Sequence, residues 1–162
     1  MNSTEKHLDI GCGGLPRNPY GAQNLYGLDL KVREGVDYGD VIMNQADVIS
    51  NRLPYEDNFF SSVSAYDFIE HIPRLLYIDG QTQFPFVNFM SEIHRILQPG
   101  GKFYALTPNY PNDSCFSDPT HVNFITRTTH KYFCEPHCWA AMYGFTGKFK
   151  PVRIKRVHFG ME

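Results

Sequence analysis

Short apolar runs separated by turn-forming residues dominate the chain. Runs bounded by glycine or proline at 7–10, 25–28, 47–50, 61–66 and 102–107 predict buried strands. Between the last two, Phe86, Phe89, Met90, Ile93, Ile96 and Leu97 recur at spacings of three and four, which is one apolar stripe on a helix. Pro99 and the Gly100–Gly101 pair predict where that helix ends. YDFIEHIPRLL predicts a shorter helix broken at Pro73, and ITRTTHKYFCEPHCWAAMYGF another, interrupted at Pro136. VRIKRVHF reads as a late strand. Strands alternating with helices imply an α/β fold with a mostly parallel, doubly wound open sheet. Ligands in such sheets bind at the carboxyl ends of the strands, where the strand order reverses.

Composition narrows the picture. The chain has 162 residues, 42% hydrophobic and 15% aromatic, which is enough for one domain with a core that needs no staples. A formal net charge of −2 gives no reason to expect a nucleic-acid or membrane partner. No apolar run approaches the roughly 18 residues of a spanning helix, and the N-terminus carries no signal-peptide pattern, so a cytoplasmic location is expected. Cys12, Cys115, Cys134 and Cys138 then read as free thiols. Proline clusters in 108–119, which suggests a core over 1–110 followed by a less regular cap and last strand over 111–162.

The richest motif is HLDIGCGGLPRNPYGAQNLYGLDL, with three glycines in four residues after an apolar strand. Glycine adopts positive φ cheaply, and successive free N–H groups in such a turn form a concavity for anions. The dinucleotide pattern G-x-G-x-x-G is incomplete, because its last position is Pro16. A long helix cannot follow the loop either: only 10 residues separate Gly14 from Leu25, and Pro16 and Pro19 push Leu15 and Asn18 toward extended conformation. Asp29 ends the second strand 18 residues after Gly11, where a carboxylate can accept both hydroxyls of a ribose and would repel a 2′-phosphate.

Four stretches together, LDIGCGG, YGLDL, LPYEDNFFSSVSAYDFIEHI and EIHRILQPGGKFYALTPN, resemble the class I S-adenosylmethionine-dependent methyltransferases. The resemblance covers residues 7–110 and implies a Rossmann-like fold that binds S-adenosyl-L-methionine and releases S-adenosyl-L-homocysteine. It implies that Asp9, Gly11, Cys12 and Gly13 surround the methionine part of the cofactor, Asp9 chiefly by ordering the loop. Asp29 would hold the ribose, Leu30 would pack on the adenine, and Asp47 and Val48 would lie at the adenine edge. Tyr66 would close the pocket, and Asp67 and His71 would face the crevice. With no helix behind it, the loop should receive a zwitterionic amino-acid end through backbone N–H groups and water rather than a pyrophosphate. The expected activity is methyl transfer to a small-molecule acceptor. Two alternatives stay open: a cofactor-binding or regulatory subunit without activity, and a nicotinamide-dependent oxidoreductase.

Beyond the core, DPTHVNFIT groups Asp118 and His121 in a polar loop on the substrate side. His121, then His71, are the candidate base or substrate-orienting groups, since histidine titrates near neutrality, and Asp118 is a third candidate. The alternative is an Asx-type turn at Asp118 with His121 as a structural donor. His130, Cys134, His137 and Cys138 fall near metal spacing, but Pro136 disturbs the shared face, and core thiols with surface histidines are the better reading, so no metal is expected. Lys148, Lys150, Arg153, Lys155 and Arg156 read as a solvated strand face. The family's closing strand pair has room for one strand here, and the unpaired edge would offer a route to an oligomer.

Overall fold

A computed structural model describes residues 5–49 and 52–157. Its centre is a five-stranded sheet of β1 (Lys6–Ile10), β2 (Asn24–Asp29), β3 (Ile42–Gln45), β4 (Phe60–Tyr66) and β7 (Leu97–Leu106). A separate antiparallel hairpin pairs β5 (Leu76–Ile78) with β6 (Gln81–Gln83). The helix α1 (Pro85–Ile96) precedes β7, and the single turn α2 (Ser114–Ser117) follows it. The sheet order is β3-β2-β1-β4-β7 and every pairing is parallel. The order reverses between β1 and β4, so the crevice opens at their carboxyl ends.

The two faces of the sheet differ. Leu8, Ile10, Leu28, Val63 and Ala65 share one core with Phe86, Phe89, Met90, Ile93 and Ile96 of α1. That is the apolar stripe read from the sequence. The opposite face is polar and closed by hydrogen bonds: His7 Nδ1 meets Ser62 Oγ at 2.7 Å, and His7 Nε2 meets Ser64 Oγ at 2.9 Å. Ser64 Oγ donates to Asp9 Oδ1 at 2.5 Å.

Over this polar face, the place of a crossover helix is taken by an extended strap between β1 and β2. Arg17 N donates to Asp9 Oδ2 at 2.8 Å, and the Arg17 guanidinium lies 4.4 Å from the Tyr66 ring centre. Tyr20 covers His7, and the Asn18 amide exchanges two hydrogen bonds with the backbone of Ala22. Gly27 makes room for the strap: a Cβ there would lie 2.4 Å from Met43 Sδ, 2.8 Å from Pro16 Cγ and 2.9 Å from Cys12 Sγ.

Several expected elements are corrected. The third strand is Ile42–Gln45, not 47–50; Ala46 N still donates to Asp29 O at 3.0 Å, residues 47–49 then leave the ladder, and Ser50 lies outside the described residues. The Pro99–Gly100–Gly101 stretch lies inside β7, which begins directly after α1; Gly100, at φ 78°, belongs to a register irregularity against β4. The helix expected around Pro73 is one 3₁₀ turn, Ile69–His71. The helix expected across Pro136 is two such turns, Thr129–Tyr132 and Trp139–Tyr143, separated by Cys138 in the left-handed region at φ 44°. Residues 152–157 form no strand, and His158 and Phe159 lie outside the described residues. Among the described residues no strand pairs with the outer edge of β7.

Candidate functional site

The carboxyl ends of β1, β2 and β3 surround an open cleft of about 170 Å³. Ile10 and Gly11 form its floor, and Leu28, Asp29 and Leu30 one wall. Ala46, Asp47, Val48 and Ile49 form a second wall, and Phe68, His71 and Ile72 close the far end. The lining is mostly apolar, with two carboxylates and one imidazole as its charged or titratable groups.

The glycine loop is pinned rather than open. Gly11, at φ 66°, donates its N–H to Leu28 O at 2.8 Å. Gly13 N donates to Asp29 Oδ2 at 2.8 Å, and Lys31 N to Asp29 Oδ1 at 3.3 Å. The expected row of free N–H groups is thus corrected at Gly11 and Gly13, whose protons are already engaged. The Phe68 ring packs on Gly11 so closely that a Cβ there would lie 2.1 Å from Phe68 Cδ2.

Of the residues expected at the cofactor, Gly11, Asp29, Leu30, Asp47 and Val48 line the cleft together. Asp47 Oδ1 accepts from Ile49 N at 2.9 Å, which shapes the second wall. Asp9 is buried behind the loop and orders it through Arg17 N; burial raises the pKa of its carboxyl. Cys12 and Gly13 belong to the loop but not to the cleft lining. The Cys12 thiol is pushed up to about 12 by burial and then by the Asp9 and Asp29 carboxylates, so it is no nucleophile near neutral pH. Tyr66 sits under Arg17 and beside Tyr104, away from the cleft lining. Asp67 has φ 47° and donates its N–H to Leu106 O, so it turns the chain after β4.

The substrate-side candidates assemble one layer further out. Val122 N and Asn123 N both donate to Glu70 O at 2.9 Å, which docks the loop 118–126 on the segment after β4. The buried Asn123 fastens it: Nδ2 donates to Ile69 O at 3.0 Å, and Arg74 Nε donates to Asn123 Oδ1 at 2.6 Å. His121 is thereby brought to His71, with ring centres 4.8 Å apart and edge to face. His71 alone of the pair lines the cleft. Asp118 Oδ1 accepts from Thr120 N at 2.8 Å and from Thr120 Oγ1 at 2.6 Å, an Asx-type turn, and these bonds hold its carboxyl below its usual pKa.

Phe68 and Glu70 were not among the expected site residues. Phe68 follows Asp67 at the end of β4, which is a position signal. Glu70 stands in the YDFIEHI stretch that carries the resemblance, but its role does not show there, because its partners lie far along the chain. The His130, Cys134, His137 and Cys138 side chains do not converge: Cys134 is buried and His137 stacks on Trp139 at 4.6 Å.

Against known proteins, the methyltransferase domain family matches residues 8–105. No curated protein sequence matches the chain. Among solved structures, an S-adenosylmethionine-dependent methyltransferase from Archaeoglobus fulgidus superposes with a TM-score of 0.57 at 19% identity, covering 80% of this chain and 58% of that one. The YcgJ protein of Bacillus subtilis gives 0.51 at 19%, covering 76% and 56%. The Haloferax volcanii chain found in complex with the Trm112 methyltransferase activator gives 0.50 at 19%, covering 90% and 55%. The chain therefore spans little more than half the length of these structures, and the likeness shows a shared fold.

Proposed function

The chain belongs to the methyltransferase domain family, and we propose that it binds S-adenosyl-L-methionine in the cleft and transfers its methyl group to a small acceptor. The bound cofactor would supply an electrophilic methyl group on a sulfonium centre. The observation that carries the reading is Asp29: it ends β2, lines the cleft, and is tied to the glycine loop at 2.8 Å.

The residues present fit the adenosine half of the cofactor. Leu30, Val48 and Ile49 offer apolar surface for a flat base, and Asp29 offers carboxylate oxygens for ribose hydroxyls. A cleft of about 170 Å³ suits that half rather than the whole molecule. Phe68 covers Gly11 where the amino-acid end would enter, so a shift of that ring is part of the proposed binding. The strap from β1 to β2 presents no helix N-terminus, which argues against the pyrophosphate of a nicotinamide dinucleotide.

On the acceptor side, His71 and the His121 behind it are the proposed substrate-orienting groups. Alignment of the reactants contributes roughly 7–11 kcal/mol. Among the described residues no strand pairs with the outer edge of β7, which leaves room for a protein partner or a second copy; the activator complex of the Haloferax volcanii protein supports a protein partner, without locating it. Among the described residues no helix is long and apolar enough to cross a membrane.

Calorimetric titration with S-adenosylhomocysteine, with nicotinamide dinucleotide as comparator, tests the reading. Binding of the first alone supports it, and preference for the second overturns it. Turnover on a panel of acceptors then separates an enzyme from a cofactor-binding subunit.

A further inference from the structure

We infer that Glu70, His71 and His121 hold a divalent transition-metal ion at the acceptor end of the cleft. One donor atom of each residue lies within 4.8 Å of the other two. Among the described residues this is the group of histidine, cysteine and acidic side chains that converges in this way.

Glu70 supplies the second observation. The residue is only 2% exposed. Oε2 accepts from Thr107 Oγ1 at 2.9 Å, whereas Oε1 is buried with no hydrogen-bond partner. A buried carboxylate oxygen without a donor is costly, and folded proteins rarely tolerate one unless a cation or water completes it.

The hydrogen bonds also fix which ring nitrogens are open. Thr120 has one hydroxyl proton and gives it to Asp118 at 2.6 Å, so its oxygen accepts from Nδ1–H of His71 at 2.9 Å. His121 Nδ1–H donates to Ser114 O at 3.1 Å. Both rings are left with a lone pair on Nε2. Asp118 Oδ2 lies 4.0 Å from Nε2 of His121 and adds negative charge beside it. Histidine ligands are typically oriented in this way, with the remote N–H donated to a fixed oxygen.

Two imidazoles and one carboxylate suit Zn²⁺, Fe²⁺, Co²⁺ or Ni²⁺ better than Mg²⁺ or Ca²⁺, which favour oxygen ligands. Three protein ligands leave coordination positions open, as in catalytic rather than structural sites. Because His71 also lines the cleft, those positions would face an entering acceptor. The ion would select an acceptor bearing a hydroxyl and lower its pKa, the proton passing to water. That last step rests on the methyl-transfer reading; the metal site does not.

The full chain, stripped with a chelator, would be titrated with Co²⁺ alone and followed by visible ligand-field absorption, with Zn²⁺ and Mn²⁺ as competitors. One Co²⁺ per chain is expected. Glu70→Gln and His121→Ala should each weaken it by at least about 10–100-fold, the loss seen even for partners one shell further out, whereas a Cys134→Ser, Cys138→Ser double variant should bind unchanged. Glu70→Gln keeps shape and removes a buried charge, so it should fold; if circular dichroism shows that it does not, His121→Ala carries the test. No response to any of the three ions, or wild-type affinity in the folded ligand variants, overturns the site. Parallel titration with S-adenosylhomocysteine separates the readings. Cofactor binding without Co²⁺ binding overturns the metal site alone. Co²⁺ binding without cofactor binding leaves the metal site standing and overturns the methyl-transfer reading.

Discussion

Asp29 Oδ2 accepts the Gly13 N–H at 2.8 Å, so one carboxylate both lines the cleft and closes the glycine loop. Removing it therefore acts twice. Loss of a hydrogen bond to a charged group costs about 1.5–3 kcal/mol. Asp29→Ala should weaken S-adenosylhomocysteine binding by about 10–150-fold, measured by calorimetry. Asp29→Asn, which keeps an acceptor for Gly13, should fall between that variant and wild type. Equal affinity in all three would remove Asp29 from the site.

Gly11 carries two constraints at once. Its φ of 66° strains any residue with a Cβ, and that Cβ would meet the Phe68 ring at 2.1 Å. Gly11→Ala should lower stability by about 1–3 kcal/mol in urea denaturation. A Gly11→Ala, Phe68→Ala double variant relieves the clash but not the backbone strain. Measured against Phe68→Ala alone, which loses its own packing on Phe89, adding Gly11→Ala should cost less than it does in wild type; an equal cost would place the whole effect in the backbone.

These two residues were legible because their signals are local. A glycine cluster after an apolar strand, and an acid at the end of the next, sit within one short stretch. The same holds for α1, whose stripe turned out to be its buried face. What failed depended on distant neighbours. Ile42–Gln45 is a half-buried strand on the sheet's outer side, so its apolar pattern is weak, while the stronger run at 46–49 packs against the cleft as a loop. VRIKRVHF alternates as a strand should, yet Val152 is 89% exposed and finds no partner among the described residues. Alternation specifies a face, not a neighbour. Glu70 is the sharpest omission: Thr107 after β7 and the docked loop 118–126 bring it its partners, and no periodicity announces either.

Asn123 is the fastener of that loop. It is 1% exposed and bonded to both Ile69 O and Arg74 Nε. Asn123→Ala leaves the Ile69 carbonyl without its buried donor, while the exposed Arg74 can turn to water, and should cost about 1–3 kcal/mol. Because the loss falls on one loop, limited proteolysis should cut within 118–126 faster than in wild type. Unchanged cleavage there would mean that the other contacts of the loop suffice to hold it: the N–H groups of Val122 and Asn123 on Glu70 O, Thr120 on His71, and Arg74 on the Phe124 carbonyl.

His7 makes stability depend on pH through the polar face of the sheet. Ser64 gives its one proton to Asp9, so it accepts from Nε2–H of His7, and Nδ1 then accepts from Ser62. The network thus holds a neutral imidazole, and burial lowers the His7 pKa from 6.5 to about 4. Between those values the unfolded chain takes up a proton that the folded chain refuses. Stability from this group is therefore fully present above pH 6.5 and is lost as the pH falls toward about 4, by roughly 3 kcal/mol in total. Asp9 works the other way: burial raises its pKa, so the fold favours its protonated form as the pH drops and offsets part of the loss. His7→Gln separates the two, since glutamine does not titrate while Asp9 remains. Urea denaturation across pH 4–7 should show wild type losing stability with acid and His7→Gln losing clearly less; parallel curves would assign the acid sensitivity to other groups.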